Sequence, residues 1–277
     1  MCKFLKVSKN SYYRWNKYQG LPKIKHSKQL LMQRIKSLFY ENRQIYGSYR
    51  IHKMLEREGL FYSRSYVGFL MREMNLKSIL KRKYIVTTDS KHVLPIAMNI
   101  LERNFSSLVL GEKWVSDITY IRISNNWGYL TTIMDLADRK IVGWTLSEDM
   151  TVENTVLKAW LLARRTREIT NNHVFHSDRG VQYASKKMTN LLAFSEKSTQ
   201  SMSRKANCWD NAVAESFFKT IKYECLNRCR FNSYQQTYEC INQYIKWYNT
   251  KRIHSGLGYL TPLEKEIQLR KLINNVA

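Results

Sequence analysis

Apolar residues recur at helical spacing through the first quarter of the chain. Between Lys28 and about Asn42 they lie 3.6 residues apart, with polar residues on the opposite side, which predicts an amphipathic helix. The pattern resumes after Gly47 and stops at Gly59, where a glycine suits the left-handed residue that ends many helices. Ser63 then supplies an N-cap for a third helix.

The last two of these helices are separated by a short turn that contains glycine. Helices in this arrangement, in a strongly basic setting, are typical of a helix-turn-helix whose later helix enters the major groove of DNA. Arg64, Ser65 and Arg72 are then the residues expected to face the groove. A plain helical hairpin with a solvated basic face is the alternative, and the charge of this region favours DNA binding.

Beyond residue 107 the pattern changes to short runs typical of strands. The segment "KWVSDITYIRI" alternates, and "GYLTTIMDL" and "KIVGWTL" are rich in β-branched and aromatic residues, so a three-stranded meander is predicted. An apolar-periodic helix, a strand "HVFHS", a helix from about Ser185, a short strand near "TQSM" and a helix from about Asp210 follow. This order predicts an α/β fold in which helices pack on both faces of a mixed sheet.

Composition divides the chain into three parts. Residues 1–80 form the helical region, and residues 108–277 form the α/β core with a helical tail. Between them, residues 81–107 are predicted to be a basic linker, because no periodicity persists there and Pro95 interrupts the segment. The linker carries a basic cluster that is a candidate for DNA contact: Lys81, Arg82 and Lys83.

The charge of the chain indicates a polyanionic partner. It carries 46 Lys and Arg against 22 Asp and Glu, a net charge of +24, and the first 100 residues hold 21 basic and 5 acidic side chains. Such self-repulsion is unusual unless a polyanion neutralises it, so nucleic acid is the first candidate. A membrane surface is the second, but no apolar run of about 18 residues and no signal-peptide pattern is present, so a cytoplasmic location without membrane contact is expected.

Three carboxylates stand out in the α/β region. In "WVSDITYI", Asp117 falls on the buried face of a strand, where an ionised carboxylate is costly unless paired or metal-bound. In "FHSDRGVQY", Asp178 closes the fourth strand and precedes Gly180 by two residues, so ordinary turn chemistry is the alternative. Glu215 lies on the polar face of the helix "WDNAVAESFFKTIKYE", where a surface ion pair with Lys219 is the alternative.

These carboxylates would meet if the first and fourth strands were neighbours, as they are in the ribonuclease H type of fold. Both aspartates would then project at one edge of the sheet, with the Glu215 helix across it. Two Mg²⁺ ions about 4 Å apart would relieve the repulsion and create a site for phosphoryl transfer. Among the competing acids, Asp138 fits a turn, Asp210 fits a helix cap, and Asp135 is a possible support for the ligands.

Four ordered motifs carry a family resemblance: "WVSDITYI", "HSDRGVQYAS", "SMSRKANCWDNAVAESFFKTIKYE" and "YNTKRIHSGLGYLTP". Together they resemble the OrfB transposase of bacterial insertion sequences of the IS-three family, which is similar to retroviral integrases. The resemblance implies a ribonuclease H-like integrase core after a helix-turn-helix region. It also implies a catalytic triad of metal ligands at Asp117, Asp178 and Glu215, with metal-dependent DNA cleavage and transfer of the freed 3′ hydroxyl by a DDE recombinase.

The same resemblance implies partners and cofactors. Mg²⁺ or Mn²⁺, two ions in all, would serve as cofactor, and the ends of the insertion sequence and the target DNA would be substrates. Synapsis of two ends implies at least a dimer, and an OrfA segment or an OrfA and OrfB fusion is a further possible partner. Near the catalytic helix, Lys219 and Lys222 are expected to hold the phosphate backbone; weaker candidates, with surface solubility as the alternative, are Arg204, Lys205, Lys251 and Arg252.

Two departures from the family pattern keep other functions open. Between Asp178 and Glu215 lie 36 residues, one more than the usual spacing, and Ala206 stands where that family usually has glycine. A catalytically decayed or regulatory DNA-binding protein of the element is therefore one alternative. A ribonuclease H type nuclease, which needs only water as nucleophile and joins no strands, is the other.

Overall fold

The computed structural model describes residues 7–17, 28–79, 96–204 and 207–274. The chain divides into two compact units, and the first unit ends at Ile79. In the described ranges, no helix is both long enough and apolar enough to cross a membrane.

The first unit is helical, as predicted. Its elements are α1 (Lys9–Lys17), α2 (Lys28–Glu41), α3 (Ser48–Arg57) and α4 (Arg64–Glu73). The Ser63 hydroxyl accepts a hydrogen bond from the Tyr66 amide at 3.2 Å, which confirms the predicted cap of α4. Gly59 has a φ of +77°, which a glycine adopts without strain. The helices enclose a core of apolar side chains: Leu31, Ile35, Leu38, Phe39, Ile51, Leu55, Val67, Leu70 and Met71.

A five-stranded sheet forms the centre of the second unit, with strand order β3-β2-β1-β4-β5. The strands are β1 (Lys113–Ile123), β2 (Asn126–Asp135), β3 (Ile141–Ser147), β4 (His173–Ser177) and β5 (Ser198–Met202). The first three form the predicted antiparallel meander. β4 pairs in parallel with both β1 and β5, so the expectation that strands one and four are neighbours is confirmed.

Helices cover both faces of this sheet. On one face, α5 (Lys158–Thr166), preceded by a π-helical turn at Glu153–Leu157, and α6 (Lys186–Phe194) pack around Trp114 and Phe175. On the other face, α7 (Ala212–Glu224) and α8 (Tyr234–Thr250) pack against Val115 and Leu130. The last helix, α9 (Pro262–Asn274), contacts α8.

Part of the stretch predicted as linker belongs to the core. The Leu101 side chain is 3% exposed and lies in the cluster beneath α7. The amides of Ile100 and Leu101 donate hydrogen bonds to the Ser201 hydroxyl at 2.9 and 3.1 Å. The Met202 amide also donates to the Met98 carbonyl at 3.3 Å, so one β5 side chain and one backbone bond, and not a regular ladder, hold this segment against β5. The basic cluster at Lys81, Arg82 and Lys83 lies outside the described residues.

Candidate active site

Asp117 lies in the middle of β1, on the face of the sheet that α7 covers. Val115, two residues earlier and therefore on the same face, packs in the cluster that contains Ala214 and Phe217 of α7. One carboxylate oxygen of Asp117 accepts a hydrogen bond from the Ile118 amide at 2.8 Å. Asp117 is thus an acid on a strand face that is otherwise largely buried, as the alternation predicted.

Asp178 follows the last residue of β4. The parallel register pairs Trp114 with Phe175 and Val115 with His176, so its continuation by two residues sets Asp178 opposite Asp117. Neighbouring strands lie about 4.8 Å apart. The amide of Gly180 donates to Asp178 Oδ1 at 2.9 Å, so the turn interpretation also holds. Asp178 thus forms a turn, and its charge also acts on Asp117.

Glu215 lies in the first turns of α7. This helix begins after a 3₁₀ turn at Cys208–Asn211, and its buried side contains Phe217, Phe218 and Ile221. The Glu215 carboxylate is one-third exposed and lies 3.6 Å from the Lys219 ammonium. The pair with Lys219 is therefore present, but it is exposed and long, and such pairs contribute little.

The three carboxylates interact electrostatically. Burial raises the pKa of Asp117 well above its ordinary value, and the negative charges of Asp178 and Glu215 raise it further. Lys222 opposes this effect on Asp117, while burial lowers the pKa of the Lys222 ammonium itself. The site therefore concentrates negative charge that its own protein cations neutralise only in part.

This donor set suits a divalent cation. Carboxylate oxygens are the ligands that Mg²⁺ takes in sites of phosphoryl transfer, and a cation would relieve the repulsion that raises the pKa of Asp117. Within the described ranges, no three His, Cys, Asp or Glu side chains are already close enough together to hold a metal ion. The carboxylates would thus have to approach each other when they bind one.

Two supports of the site were missed at the sequence level. The Tyr183 hydroxyl lies 2.7 Å from Ser116 Oγ, so it ties the loop after Asp178 to the residue that precedes Asp117. Burial raises the pKa of Tyr183 well above its ordinary value. In the sequence, Tyr183 is a tyrosine just before a predicted helix, and ordinary core packing explains such a residue equally well.

His176 forms the second missed support, between β4 and β5. Its Nδ1 lies 2.8 Å from Ser201 Oγ, and its Nε2 lies 3.3 Å from Ser203 Oγ. Burial lowers the pKa of His176 to about 4, so the ring is neutral. It fixes the end of β4 from which Asp178 projects.

Asp210 was predicted as a helix cap, and this prediction is wrong. Its fully buried carboxylate accepts from Asn99 Nδ2 at 3.0 Å, from Arg103 Nε at 2.9 Å and from Arg204 Nε at 2.9 Å. Hydrogen bonds from Arg204 hold the pKa of Asp210 far below its usual range. Asp210 therefore anchors the approach to α7, and Arg204, still half-exposed, is primarily its partner.

Arg252 was predicted to contact DNA, and the structure contradicts this. The residue is 6% exposed, and its Nε and Nη2 donate to the two oxygens of Glu224 at 2.8 and 2.7 Å. The guanidinium is therefore committed to a buried ion pair that joins α7 to the end of α8. Its neighbour Lys251 is exposed, as the prediction requires.

Asp135 and Asp138 belong to a second buried ion cluster. Arg167 donates to Asp135 Oδ2 at 2.8 Å and to Asp138 Oδ2 at 2.7 Å. Asp135 also accepts from the Trp114 indole at 3.1 Å. Through these contacts Asp135 anchors the end of β2. It was predicted as a possible support of the metal ligands, and the contacts give it this other role instead.

Among the other predicted DNA contacts that the structure describes, all but Lys222 are exposed. Arg64, Ser65 and Arg72 lie on the outer surface of α4, and Lys219 is 60% exposed beside Glu215. Lys222 is half-buried between Glu215 and the end of α7. Lys205 and Ala206 lie outside the described residues.

Comparison with family profiles gives three matches along the chain. Residues 110–208 and residues 196–262 each match a family described as "Integrase core domain". Residues 26–84 match an "HTH-like domain". The matches thus cover most of the helical unit, and they cover the part of the second unit that contains all three carboxylates.

Several curated relatives resemble almost the whole chain. The "Insertion element IS600 uncharacterized 31 kDa protein" of Shigella sonnei is 36% identical over 263 residues, 95% of this chain and 96% of the relative. "Transposase InsF for insertion sequence IS3A" of Escherichia coli (strain K12) is 31% identical over 274 residues, with 96% and 92% covered. The "Putative transposase InsK for insertion sequence element IS150" of the same strain is 36% identical over 231 residues, with 83% and 81% covered.

Solved structures with a similar arrangement include viral integrases. The HTLV-2 integrase catalytic core domain, in complex with magnesium, matches with a TM-score of 0.43 and 16% identity, covering 56% of this chain and 96% of that one. The simian T-cell lymphotropic virus intasome, in complex with a PP2A regulatory subunit, matches with a TM-score of 0.48 and 13% identity, with 79% and 73% covered.

Proposed function

The chain belongs to the IS3 family of bacterial transposases with an integrase core, and from this premise we propose that Asp117, Asp178 and Glu215 form its catalytic site. The enzyme is a DDE polynucleotidyl transferase that acts in DNA transposition. The observation that carries the assignment of residues is electrostatic: the charges of Asp178 and Glu215 both raise the pKa of Asp117. This electrostatic influence between acids from distant parts of the chain supports their assignment to one site.

Two Mg²⁺ or Mn²⁺ ions are the proposed cofactors. Asp117 and Asp178 would bind them, and Glu215 would complete the site and orient the attacking water or 3′ hydroxyl. When bound, the ions would activate the nucleophile and stabilise the leaving oxygen of the phosphodiester. The Gly180 amide keeps Asp178 oriented, and the bond between Tyr183 and Ser116 keeps its loop against β1.

DNA would be held by cations around the carboxylates and by α4. Lys219 and Lys222 follow Glu215 along α7 at helical spacing, so both would contact the backbone of the strand under attack. Arg64, Ser65 and Arg72 of α4 would bind the ends of the insertion sequence through the major groove. Lys251 and Arg204 remain candidates at the surface, together with four residues outside the described ranges: Lys81, Arg82, Lys83 and Lys205.

Assembly would bring two element ends together. Cleavage and joining at both ends require at least two copies of the chain in one synaptic complex, and an OrfA segment is a further proposed partner. The freed 3′ hydroxyl would have to lie in line with the target phosphodiester that it attacks.

Strand transfer by purified full-length protein tests the proposal. A labelled duplex carrying the element's end is incubated with Mg²⁺ or Mn²⁺, with and without the OrfA segment. Wild-type protein should yield joined products, Glu215→Gln should yield none, and Glu239→Gln should match wild type because Glu239 is an exposed acid on α8. Binding without cleavage in every condition would identify a DNA-binding remnant instead. Hydrolysis of an RNA and DNA hybrid without joining would identify a nuclease.

A further inference from the structure

An aromatic side chain lies at the centre of the outer face of α4. Ser65, Phe69 and Arg72 are spaced four and three residues apart, so they form one stripe along the helix. This stripe is opposite the buried residues Val67 and Leu70. Phe69 is 48% exposed, although transfer of a phenylalanine ring out of water is favourable. The residues that the sequence predicted for the groove thus flank an apolar group that it did not single out.

The ring of Phe69 belongs to a row of aromatic side chains. Its centroid lies 6.4 Å from that of Tyr66, in a stacked arrangement with planes 14° apart. The Tyr66 ring in turn lies 6.0 Å from that of Tyr62, in the turn before α4. Tyr66 is itself 37% exposed. The row is therefore an ordered apolar strip whose rings support each other.

The charge around this strip suits a polyanion. The nearest carboxylate on the same helix, Glu73, is paired with the Lys28 ammonium at 2.7 Å, and that ammonium also lies 5.9 Å from the Phe69 ring. The remaining acids in the described part of the unit, Glu41, Glu56 and Glu58, also lie in ion pairs. Every carboxylate of the described residues 28–79 thus has a cation beside it, which weakens its repulsion of phosphates.

We propose that Phe69, supported by Tyr66, reads thymine in the major groove of the element's ends through contact with the 5-methyl group. This inference rests on the proposed binding of those ends by α4. Arginine and serine can contact phosphates or base edges, but an apolar ring distinguishes thymine by its methyl group. Phe69 therefore adds a preference for thymine to the contacts that Arg72 makes beside it.

Removal of single methyl groups tests the proposal. Full-length protein is titrated against duplexes of the element's end in which one thymine at a time is replaced by deoxyuridine, and binding is followed by fluorescence anisotropy beside a scrambled duplex. Wild type should lose about fourfold in affinity at one or two positions, which is the effect of about one buried methyl group. Phe69→Ala should bind the native end about tenfold more weakly and show no loss at those positions.

Matched variants separate the possible outcomes. Tyr40→Ala removes another half-exposed ring, on α2, and should keep the wild-type pattern of losses. Phe69→Leu should keep part of the methyl preference, because leucine is also apolar. If wild type prefers the end over the scrambled duplex but Phe69→Ala keeps the same losses, the thymine contact is refuted while end binding stands. If wild type shows no preference for the end, both proposals fail. A change in oligomeric state of Phe69→Ala without any change in methyl preference would refute the contact in favour of a surface between copies.

Discussion

Replacement of Arg252 by alanine tests the reassignment of this residue from a DNA contact to a buried cation. Glu224 is 2% exposed and accepts two hydrogen bonds from Arg252 and one from the Tyr244 hydroxyl at 2.7 Å. The variant leaves this carboxylate buried without its bidentate partner. Removal of one member of a buried ion pair costs about 3–5 kcal/mol in free energy of unfolding.

Urea unfolding followed by tryptophan fluorescence measures this loss. Lys251→Ala is the matched control, because Lys251 is the adjacent residue, has the same charge and is exposed. Its free energy of unfolding should change by less than about 0.5 kcal/mol. With a slope of about 2 kcal/mol per molar urea, the midpoint of Arg252→Ala should fall by about 2 M.

Equal midpoints for the two variants would refute the reasoning. The pair can be examined further by replacing Glu224 and Arg252 together with methionine. Since no charge is then left buried alone, this double variant should recover most of the stability that Arg252→Ala loses. A double variant as unstable as the single one would mean that the contact of the guanidinium with the Tyr248 ring, and not the ion pair with Glu224, is what matters.

Three further predictions concern the site and its supports. In metal-free protein, Asp117→Asn should raise the free energy of unfolding by about 0.5–2 kcal/mol. The gain should grow as pH rises, because the pKa of Asp117 is raised in the folded state and its ionisation therefore costs stability. Equal thermal stability of variant and wild type at pH 8 would contradict this. Burial lowers the pKa of His176 to about 4, so between about pH 6.5 and pH 4 the unfolded chain binds a proton that the folded chain does not, and stability should fall as pH falls. His176→Gln should show a shallower loss in melts across that range, and an unchanged slope would count against a buried neutral ring. Gly143→Ala should lower the free energy of unfolding by about 2 kcal/mol, because the added Cβ would lie 2.4 Å from a backbone oxygen of α5. Gly256→Ala is the control: its Cβ would have no atom within 4 Å, so this variant should melt like wild type.

Local patterns in the sequence predicted the elements well because periodicity and caps are local properties. The helices of the first unit, the cap at Ser63 and the meander all follow from residues within a few positions of each other. The pairing of β1 with β4 is different, since Val115 and His176 are far apart in the chain. That pairing was expected from the resemblance to a known fold, and not from the strand pattern.

Side-chain partners were predicted less well, because they depend on which elements meet in space. Arg252 follows a helix and resembles any surface arginine in the sequence, yet Glu224 lies against it in the fold. Asp210 precedes a helix and resembles a cap, but Asn99 and Arg103 come from the segment predicted as linker. Burial of a charge is a tertiary property, so spacing alone could not distinguish these residues from exposed ones.

The order of the three carboxylates along the chain also affects how the enzyme is made. Asp117 lies in the hairpin strands, Asp178 joins it through parallel pairing of β1 with β4, and Glu215 arrives with α7. Hairpins close early, whereas contacts between residues far apart in sequence form late, and a chain emerges from the ribosome from its N-terminus at about 5–20 residues per second. A nascent chain therefore exposes its basic helical unit many residues before it can complete the proposed catalytic site. During synthesis the protein can meet DNA before it is able to cut it.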